Sequence, residues 1–486
     1  MTATAHRSPV RDSARPGCQG RSLARTATDR SLGRAAQTIG VSARHLAPLL
    51  PSIVRRTLTP AQLSAALAAT FQELGGTYVK LGQLAASAPG IVGEDVADGF
   101  RGLLDAAPAV PFVEVRRLVE EELGLPLEVA FAEFDPEPLA AASIATVHRA
   151  ALPGGRAVAV KVLRPGIEQV LARDVTILRA VTTELATTVG TFQARAAVEL
   201  VSGLEEQLVQ EIDLTLELAA MDEARRVLDE LGETLLVVPA PVPERSTRRV
   251  LTMELLDGAA IDDLGAIEQM GLDVEPIILA LVRAWFGSAL RYGTFHGDVH
   301  AGNLLALEDG RIGILDWGVV GRLDEDMHRH FRLILAGALG DESAWEPAAE
   351  NMLAHMLTPA QRDELGITAA DLVPMVKLRI GGMLTKPFNE LNLSELLDGP
   401  PLPIDDERPT AAVMLRRFAR NRFGRSADDP DESVAFDRNM FLLVKQLAYF
   451  ERYGRLYLGN LPLVHDPEQF RPFLASEPDR SADIEV

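Results

Sequence analysis

Phe295–Gly318 reads FHGDVHAGNLLALEDGRIGILDWG, and the spacing of its polar residues decides how the rest of the chain is read. Four residues separate Asp298 from Asn303, and Asp316 follows Asn303 by thirteen positions, directly before Trp317 and Gly318. Between them, Leu304–Leu307 and Arg311–Leu315 are short apolar runs of strand character, and Asp309-Gly310 is a two-residue hairpin signal. A hairpin of that size returns the chain to its starting end, so the Asn303 amide and the Asp316 carboxylate meet there. Two adjacent oxygen ligands suit a hard divalent cation whose other positions go to water and phosphate. A plain surface hairpin with capping acids would also use Asp-Gly. It gives no reason for His296 two residues before Asp298, or for Gly318 two residues after Asp316.

A phosphoryl-transfer site needs an Asp to take the proton of an attacking hydroxyl, an Asn to hold metal, and a D-x-G Asp to hold Mg²⁺ against the phosphates. Asp298, Asn303 and Asp316 fill these places in order. Upstream, Ile144–Leu152 alternates as a strand, Pro153-Gly154-Gly155 turns, and Arg156–Val162 forms a second strand carrying Lys161. The pair matches the second and third strands of a kinase small lobe, whose Lys contacts the α- and β-phosphates. Where a phosphate loop would carry glycines, this chain has Ala140, Ala141, Ala142 and Ser143, whose side chains narrow the approach of backbone to phosphate. Ile167–Leu231 reads as strongly helical, with Asp213 and Glu217 on one face at i, i+4, and an acid of this stretch is placed to pair with Lys161. Leu235–Pro239 and Arg249–Leu255 read as strands. The second, with Glu254 near its end, leads into a hinge suited to an adenine edge.

Composition bounds the rest. A chain of 486 residues, 47% hydrophobic, has material for two or three lobes. The net charge of −21 argues against non-specific nucleic-acid binding, so no nucleic-acid partner is expected. The single cysteine, Cys18, allows no internal disulfide and fits a reducing, cytoplasmic setting. Residues 1–50 carry eight Arg against Asp12 and Asp29 and read as a disordered basic tail, although a transit peptide or an anionic-membrane tether has the same composition. No stretch offers eighteen uncharged apolar residues, so no transmembrane helix is expected, and Pro276–Tyr292, interrupted by Arg283 and Arg291, reads as a buried helix.

Thr59-Pro60-Ala61-Gln62 carries helix-start chemistry, and the same LTPAQ string recurs at Leu357–Gln361. Phe71–Gly90 reads as helix broken at Gly75-Gly76, with Lys80, Gln83 and Ser87 on one face. After Gly318, helices are expected over 326–338, 341–356 and 440–457, with loops at 387–410 and 425–432.

Together these strings resemble the UbiB (AarF/ADCK) family of atypical kinases. The resemblance is carried by Lys80-Leu81-Gly82-Gln83, the Ala-rich stretch Leu139–Ser143, Val158–Gly166, Glu211 with Asp213, His296-x-Asp298 with Asn303, and Asp316-x-Gly318. It implies an α+β, protein-kinase-like two-lobe fold: a basic tail over 1–50, a helical extension over 55–125, a small β-rich N-lobe over 126–257, a helical C-lobe over 258–475 and a tail over 476–486. Carried over by residue, Lys161 binds nucleotide phosphate with Glu217 as its helix partner, Asp298 is the catalytic-loop acid, and Asn303 and Asp316 hold Mg²⁺. Lys80 and Gln83 would cover the usual protein-substrate groove, Lys80 meeting Glu211 or Asp213. The implied activity is Mg²⁺-dependent ATP hydrolysis or phosphorylation of a small or lipid-like acceptor in isoprenoid-quinone or other lipid metabolism, with peripheral membrane contact. Ala145-Thr146 stands where the family commonly has Gly-Gln, and Trp317 replaces Phe. Two rivals remain at this level. A small-molecule phosphotransferase of the aminoglycoside or choline kinase type shares H-G-D-x-H-x-x-N, and a nucleotide-binding scaffold would lack turnover.

Overall fold

The structure, a computed structural model, describes residues 31–55, 57–86, 99–100, 103, 110–189, 192–356, 359, 362–363, 366–391 and 438–475. Cys18, Ser87, the second LTPAQ string apart from residue 359, the loop 425–432 and the tail from 476 lie outside them.

The basic tail expected over 1–50 is corrected within the described part, because Ser31–Leu46 is a helix, α1. Its Arg34 meets both carboxylate oxygens of the fully buried Asp174 at 2.7 and 2.8 Å and also donates to the Leu74 carbonyl at 3.1 Å. A buried carboxylate is costly unless paired, so one Arg in this stretch is fixed where composition gave no sign of it. Helix α2 (Pro60–Leu74) starts with the expected capping box, the Thr59 hydroxyl accepting from Gln62 N and the Gln62 side chain from Thr59 N. Gly75, at φ 68°, then breaks the helix, and α3 (Gly76–Ala86) follows. Thr77 of α3 donates to the same Asp174, so α1 and α3 both reach that carboxylate.

Helix α4 (Phe112–Leu123) lays Val115, Leu118 and Val119 against the N-lobe sheet. That sheet draws on β1 (Glu133–Ala141), β2 (Ala145–Ala151) and β3 (Ala157–Leu163). Leu139, Ala140 and Ala141 of the Ala-rich stretch therefore belong to a strand, and only Ala142 and Ser143 lie in the turn before β2. Helices α5 (Ile167–Val189), α6 (Phe192–Glu211) and α7 (Leu214–Leu231) follow. The stretch read as continuous around Asp213 is thus interrupted. Asp213 caps α7, its carboxylate accepting from Thr215 N at 3.3 Å, and does not share a helix face with Glu217.

Strands β4 (Leu236–Val237) and β5 (Val250–Glu254) come next, and the N-lobe sheet runs β1-β2-β3-β5, antiparallel throughout. Lys161 sits opposite Val147 on one side and Leu251 on the other. In the C-lobe lie β6 (Gly258–Ala260), helix α8 (Val274–Tyr292), β7 (Thr294–His296), β8 (Leu304–Leu307), β9 (Ile312–Ile314) and β10 (Val320–Arg322). One small sheet is ordered β4-β9-β8-β6, and β7 pairs with β10. The β8–β9 turn spans residues 308–310, three residues and not two, closed by Leu307 N on the Arg311 carbonyl with Gly310 at φ 83°. Helices α9 (Glu325–Ala338), α10 (Trp345–Met356) and α11 (Arg438–Tyr457) complete the lobe around the buried α8. No helix among the described residues is long and apolar enough to cross a membrane. The result is a kinase-like fold with a helical extension packed against its small lobe.

Candidate functional site

Strand β3 is covered on both faces, so the lysine it carries enters a dry environment and must find anions. The Lys161 ammonium lies 2.9 Å from each Glu217 oxygen and 3.2 Å from Asp316 Oδ1. Burial opposes its charge, but the two carboxylates prevail and raise its pKa above the ordinary lysine value. Two acids share one cation, and they divide unequally. Burial pushes the Glu217 carboxyl up to about 7 against the pull of Lys161, with the Asp316 charge adding to the rise. Asp316 resists desolvation because Lys161 and the Gly318 N–H favour its anion, and its pKa stays below the usual carboxylate range. Lys161 and Asp316 are the ionised members, and Glu217 retains its proton to higher pH.

Asp316 adopts φ 47°, and no other described non-glycine residue has positive φ. The strained turn aims its half-exposed carboxylate into the cleft. Beside it, His296 joins the two loops. Its Nδ1 accepts from Asp298 N at 3.0 Å, and Nε2 lies 3.3 Å from the Leu315 carbonyl, which fixes the tautomer with the proton on Nε2. Burial keeps this imidazole below its ordinary pKa, and hence neutral. Trp317 stacks edge-on to the His296 ring at 4.5 Å and donates from Nε1 to the Ile314 carbonyl, a bond that Phe could not make. Gly297 is required here: a Cβ would come 2.8 Å from Val319 Cγ1 across the β7–β10 pair.

Asn303, whose backbone carbonyl accepts from Leu315 N at 2.8 Å beside the Asp316 turn, donates from Nδ2 to the Asp298 carbonyl at 3.0 Å, which leaves the Asn303 Oδ1 lone pairs as the oxygen ligand of its side chain. Asp298 itself carries a contact absent from the sequence reading: Lys445 Nζ of α11 stands 2.7 Å from its Oδ1. The same helix clasps the loop backbone. Buried Gln446 accepts from Val299 N and donates to the Gly297 carbonyl, and the Tyr453 hydroxyl donates to the Val299 carbonyl at 2.7 Å. The one sequence signal was Lys445-Gln446 interrupting an apolar run.

A cavity of about 470 Å³ has a polar lining that includes Lys80, Lys161, Glu211, Asp298, Asp316 and Lys445, while Asn303 is not among its lining residues. Lys80 reaches Glu211 Oε2 at 2.6 Å, while Asp213 faces Arg248 at 3.5 Å, so of the two acids offered by the sequence the latch takes Glu211. Gln83 also lines the cavity and lies 3.4 Å from the Leu103 carbonyl. Gly82 lets α3 pack here, since a Cβ would overlap Leu103 and press on Phe100 and Phe71. Ala142 and Ser143 line the cavity; Ala140, Ala141 and Glu254 are not among its lining residues. Glu254 is engaged elsewhere, its N–H on the Ala240 carbonyl and its carboxylate accepting from Ala240 N.

The donor set fits Mg²⁺ held jointly with phosphate. No group of three His, Cys, Asp or Glu among the described residues forms a metal cage, and Asn303 with Asp316 supplies two oxygen donors, the share a protein gives when water and phosphate supply the rest.

Comparison with known proteins places the chain in a family. Residues 102–345 match the family described as ABC1 atypical kinase-like domain. The chain is 34% identical over 401 residues to "Uncharacterized aarF domain-containing protein kinase At5g05200, chloroplastic" of Arabidopsis thaliana, covering 82% of this chain and 72% of that protein. It is likewise 34% identical over 425 residues to "Uncharacterized protein Rv0647c" of Mycobacterium tuberculosis, covering 86% and 80%. "Probable protein kinase UbiB" of Marinobacter nauticus is 33% identical over 259 residues, 52% of this chain and 47% of that protein. The chain belongs to the ABC1 atypical kinase-like family, the UbiB/AarF group.

Proposed function

We propose that the protein binds ATP with Mg²⁺ in the cleft between its lobes and cleaves or transfers the γ-phosphoryl group, with water or a small or lipid-like hydroxyl as acceptor. One observation carries this reading. Lys161 is bound by both oxygens of Glu217 and lies 3.2 Å from Asp316, and all three line one cavity with Asp298. When bound, Mg²⁺ on Asp316 and Asn303 offsets charge on the phosphates. Lys161 contacts the α- and β-phosphates, Glu217 fixes its position, and Asp298 takes the proton of the attacking hydroxyl.

Protein acceptors are disfavoured because α3 brings Lys80 and Gln83 into the cavity and latches onto Glu211. That latch also favours this reading over a phosphotransferase of the aminoglycoside or choline kinase type, which would present an open acidic pocket above Asp298. A scaffold without turnover has no chemical need for Lys161, Asp298, Asn303 and Asp316 together. The apolar side of the cavity, with Leu84, Phe100, Leu103 and Leu442, suits a lipid-like acceptor. We place the protein in isoprenoid-quinone or other lipid metabolism on that wall and on the family resemblance, and a peripheral membrane contact follows from such an acceptor.

The test is Mg·ATP affinity in the wild type and in Asp316→Asn, with thermal melts to confirm folding. Loss of a carboxylate metal ligand should weaken Mg²⁺-dependent binding by ~100-fold or more. Equal affinity in the two proteins would remove the site assignment.

A further inference from the structure

We infer that Lys445, delivered from the C-terminal helix α11, is the cation of the acceptor end of the cleft: it rests on Asp298 and turns to the transferring phosphoryl group during the step. The inference rests on the nucleotide reading above. The other hydrogen bonds of α11 with the catalytic loop go to backbone, through Gln446 and Tyr453 to residues 297 and 299, and Tyr449 meets the His300 ring edge-on at 6.4 Å. Those bonds hold the helix to the loop, whereas Lys445 contacts a carboxylate, 2.7 Å away and lining the same cavity. Both side chains are 22% exposed, so the pair is dry enough to matter and open enough for the ammonium to move.

Charge balance supplies the reason. At the nucleotide end Asp316 has Lys161, and metal when nucleotide is present. Asp298 belongs to neither, yet the acceptor oxygen and the γ-phosphoryl group must both come close to it. An anion arriving beside a bare carboxylate is repelled, and a mobile ammonium there removes the repulsion and follows the charge. In the step, the acceptor oxygen bonds to the γ-phosphorus and the bond to the β,γ-bridging oxygen breaks. ADP leaves with that electron pair, and the acceptor proton passes to Asp298. Lys445 keeps its protons throughout.

The discriminating measurement is Mg·ADP affinity with and without aluminium fluoride, a mimic of the phosphoryl group in flight, for wild type, Lys445→Met, Lys445→Arg and Arg452→Met. Arg452 is a control of equal charge on the same helix, paired with Asp262 and more than half exposed. The wild type should gain ~100-fold from the fluoride, as a transition-state mimic does over a ground-state ligand. Lys445→Met should bind Mg·ADP within roughly 3-fold of wild type yet lose most of that gain, with partial recovery in Lys445→Arg and none of the loss in Arg452→Met. A full gain in Lys445→Met overturns the inference, as does equal weakening of both ligands, which marks a purely structural lysine. No gain in the wild type overturns it too, while leaving nucleotide binding in place. No Mg·ADP binding by the wild type overturns the nucleotide reading and this inference with it.

Discussion

Lys161 and Lys445 each hold an acid of one cleft, but they are built differently. Lys161 is fixed by a central strand and gripped by two carboxylates, one of them on a helix of the same lobe. Lys445 comes from a helix 147 residues after Asp298 in the chain and makes one partly exposed ion pair, with the Tyr449 ring centroid 5.8 Å from its ammonium. The end we propose for nucleotide is therefore a preorganised cluster of charges, and the end we propose for the acceptor a contact between distant segments that can let go. Two unit charges ~4 Å apart interact by about 4 kcal/mol at an effective dielectric of ~20, so either lysine can decide the local balance of its acid. Their difference lies in what else breaks when the lysine is removed.

The largest expected effect is at Lys161. Lys161→Met leaves Glu217 and Asp316 facing each other without their cation, and breaking a buried pair by removing one partner costs ~3–5 kcal/mol. Denaturant unfolding should show that loss together with lost nucleotide affinity, whereas Lys445→Met should cost about 1 kcal/mol or less. Equal stability losses in the two variants would break the contrast between a rigid and a releasable pair.

Glu217 sharpens the description of the rigid end. Its folded pKa is raised from 4.5 to about 7, so the fold favours the protonated acid. The stability this gives is fully present below pH ~4.5 and is lost as pH rises through ~7. Wild type should thus lose on the order of 2 kcal/mol relative to Glu217→Gln between those limits, read from paired thermal melts. His296, held below its ordinary pKa, titrates in both proteins and cancels in the difference, while Asp316 titrates below this range. A flat difference curve would mean that Glu217 is ionised throughout and that Lys161 serves it first.

The two ends also differ in how much of them the sequence reveals. The β2–β3 hairpin, Lys161, and the loops carrying Asp298, Asn303 and Asp316 are legible because strand alternation and turn residues are local signals. Spacing alone did not choose among Glu211, Asp213 and Glu217, and Glu217 as the partner of Lys161 came from the family resemblance, since i, i+4 reasoning assumes an unbroken helix and Asp213 is itself a good N-cap that ends one. Helix α1 was hidden because an Arg-rich composition does not say that Arg34 has a buried partner. Asp174 falls among Leu171, Val175 and Leu178 on the buried face of α5, a signal without an address. Lys445-Gln446 is the same case in α11. Periodicity shows which face a residue occupies, and it is silent on what packs there from 147 residues away.

The smallest expected effect tests whether the ends are separable. Tyr453 is fully buried and donates to the Val299 carbonyl, next to Asp298, with no link to the nucleotide end. Tyr453→Phe keeps the ring and removes one bond, a loss of about 1 kcal/mol in a denaturant melt. Gln446 still holds Val299 N and the Gly297 carbonyl, so the loop stays in place but less tightly. Mg·ADP affinity should then be unchanged within about 2-fold, while the gain from aluminium fluoride falls several-fold because Asp298 and Lys445 are no longer held in register. If nucleotide affinity falls in parallel, α11 supports the whole cleft as one unit. The contrast between Lys161 and Lys445 would then be one of burial alone.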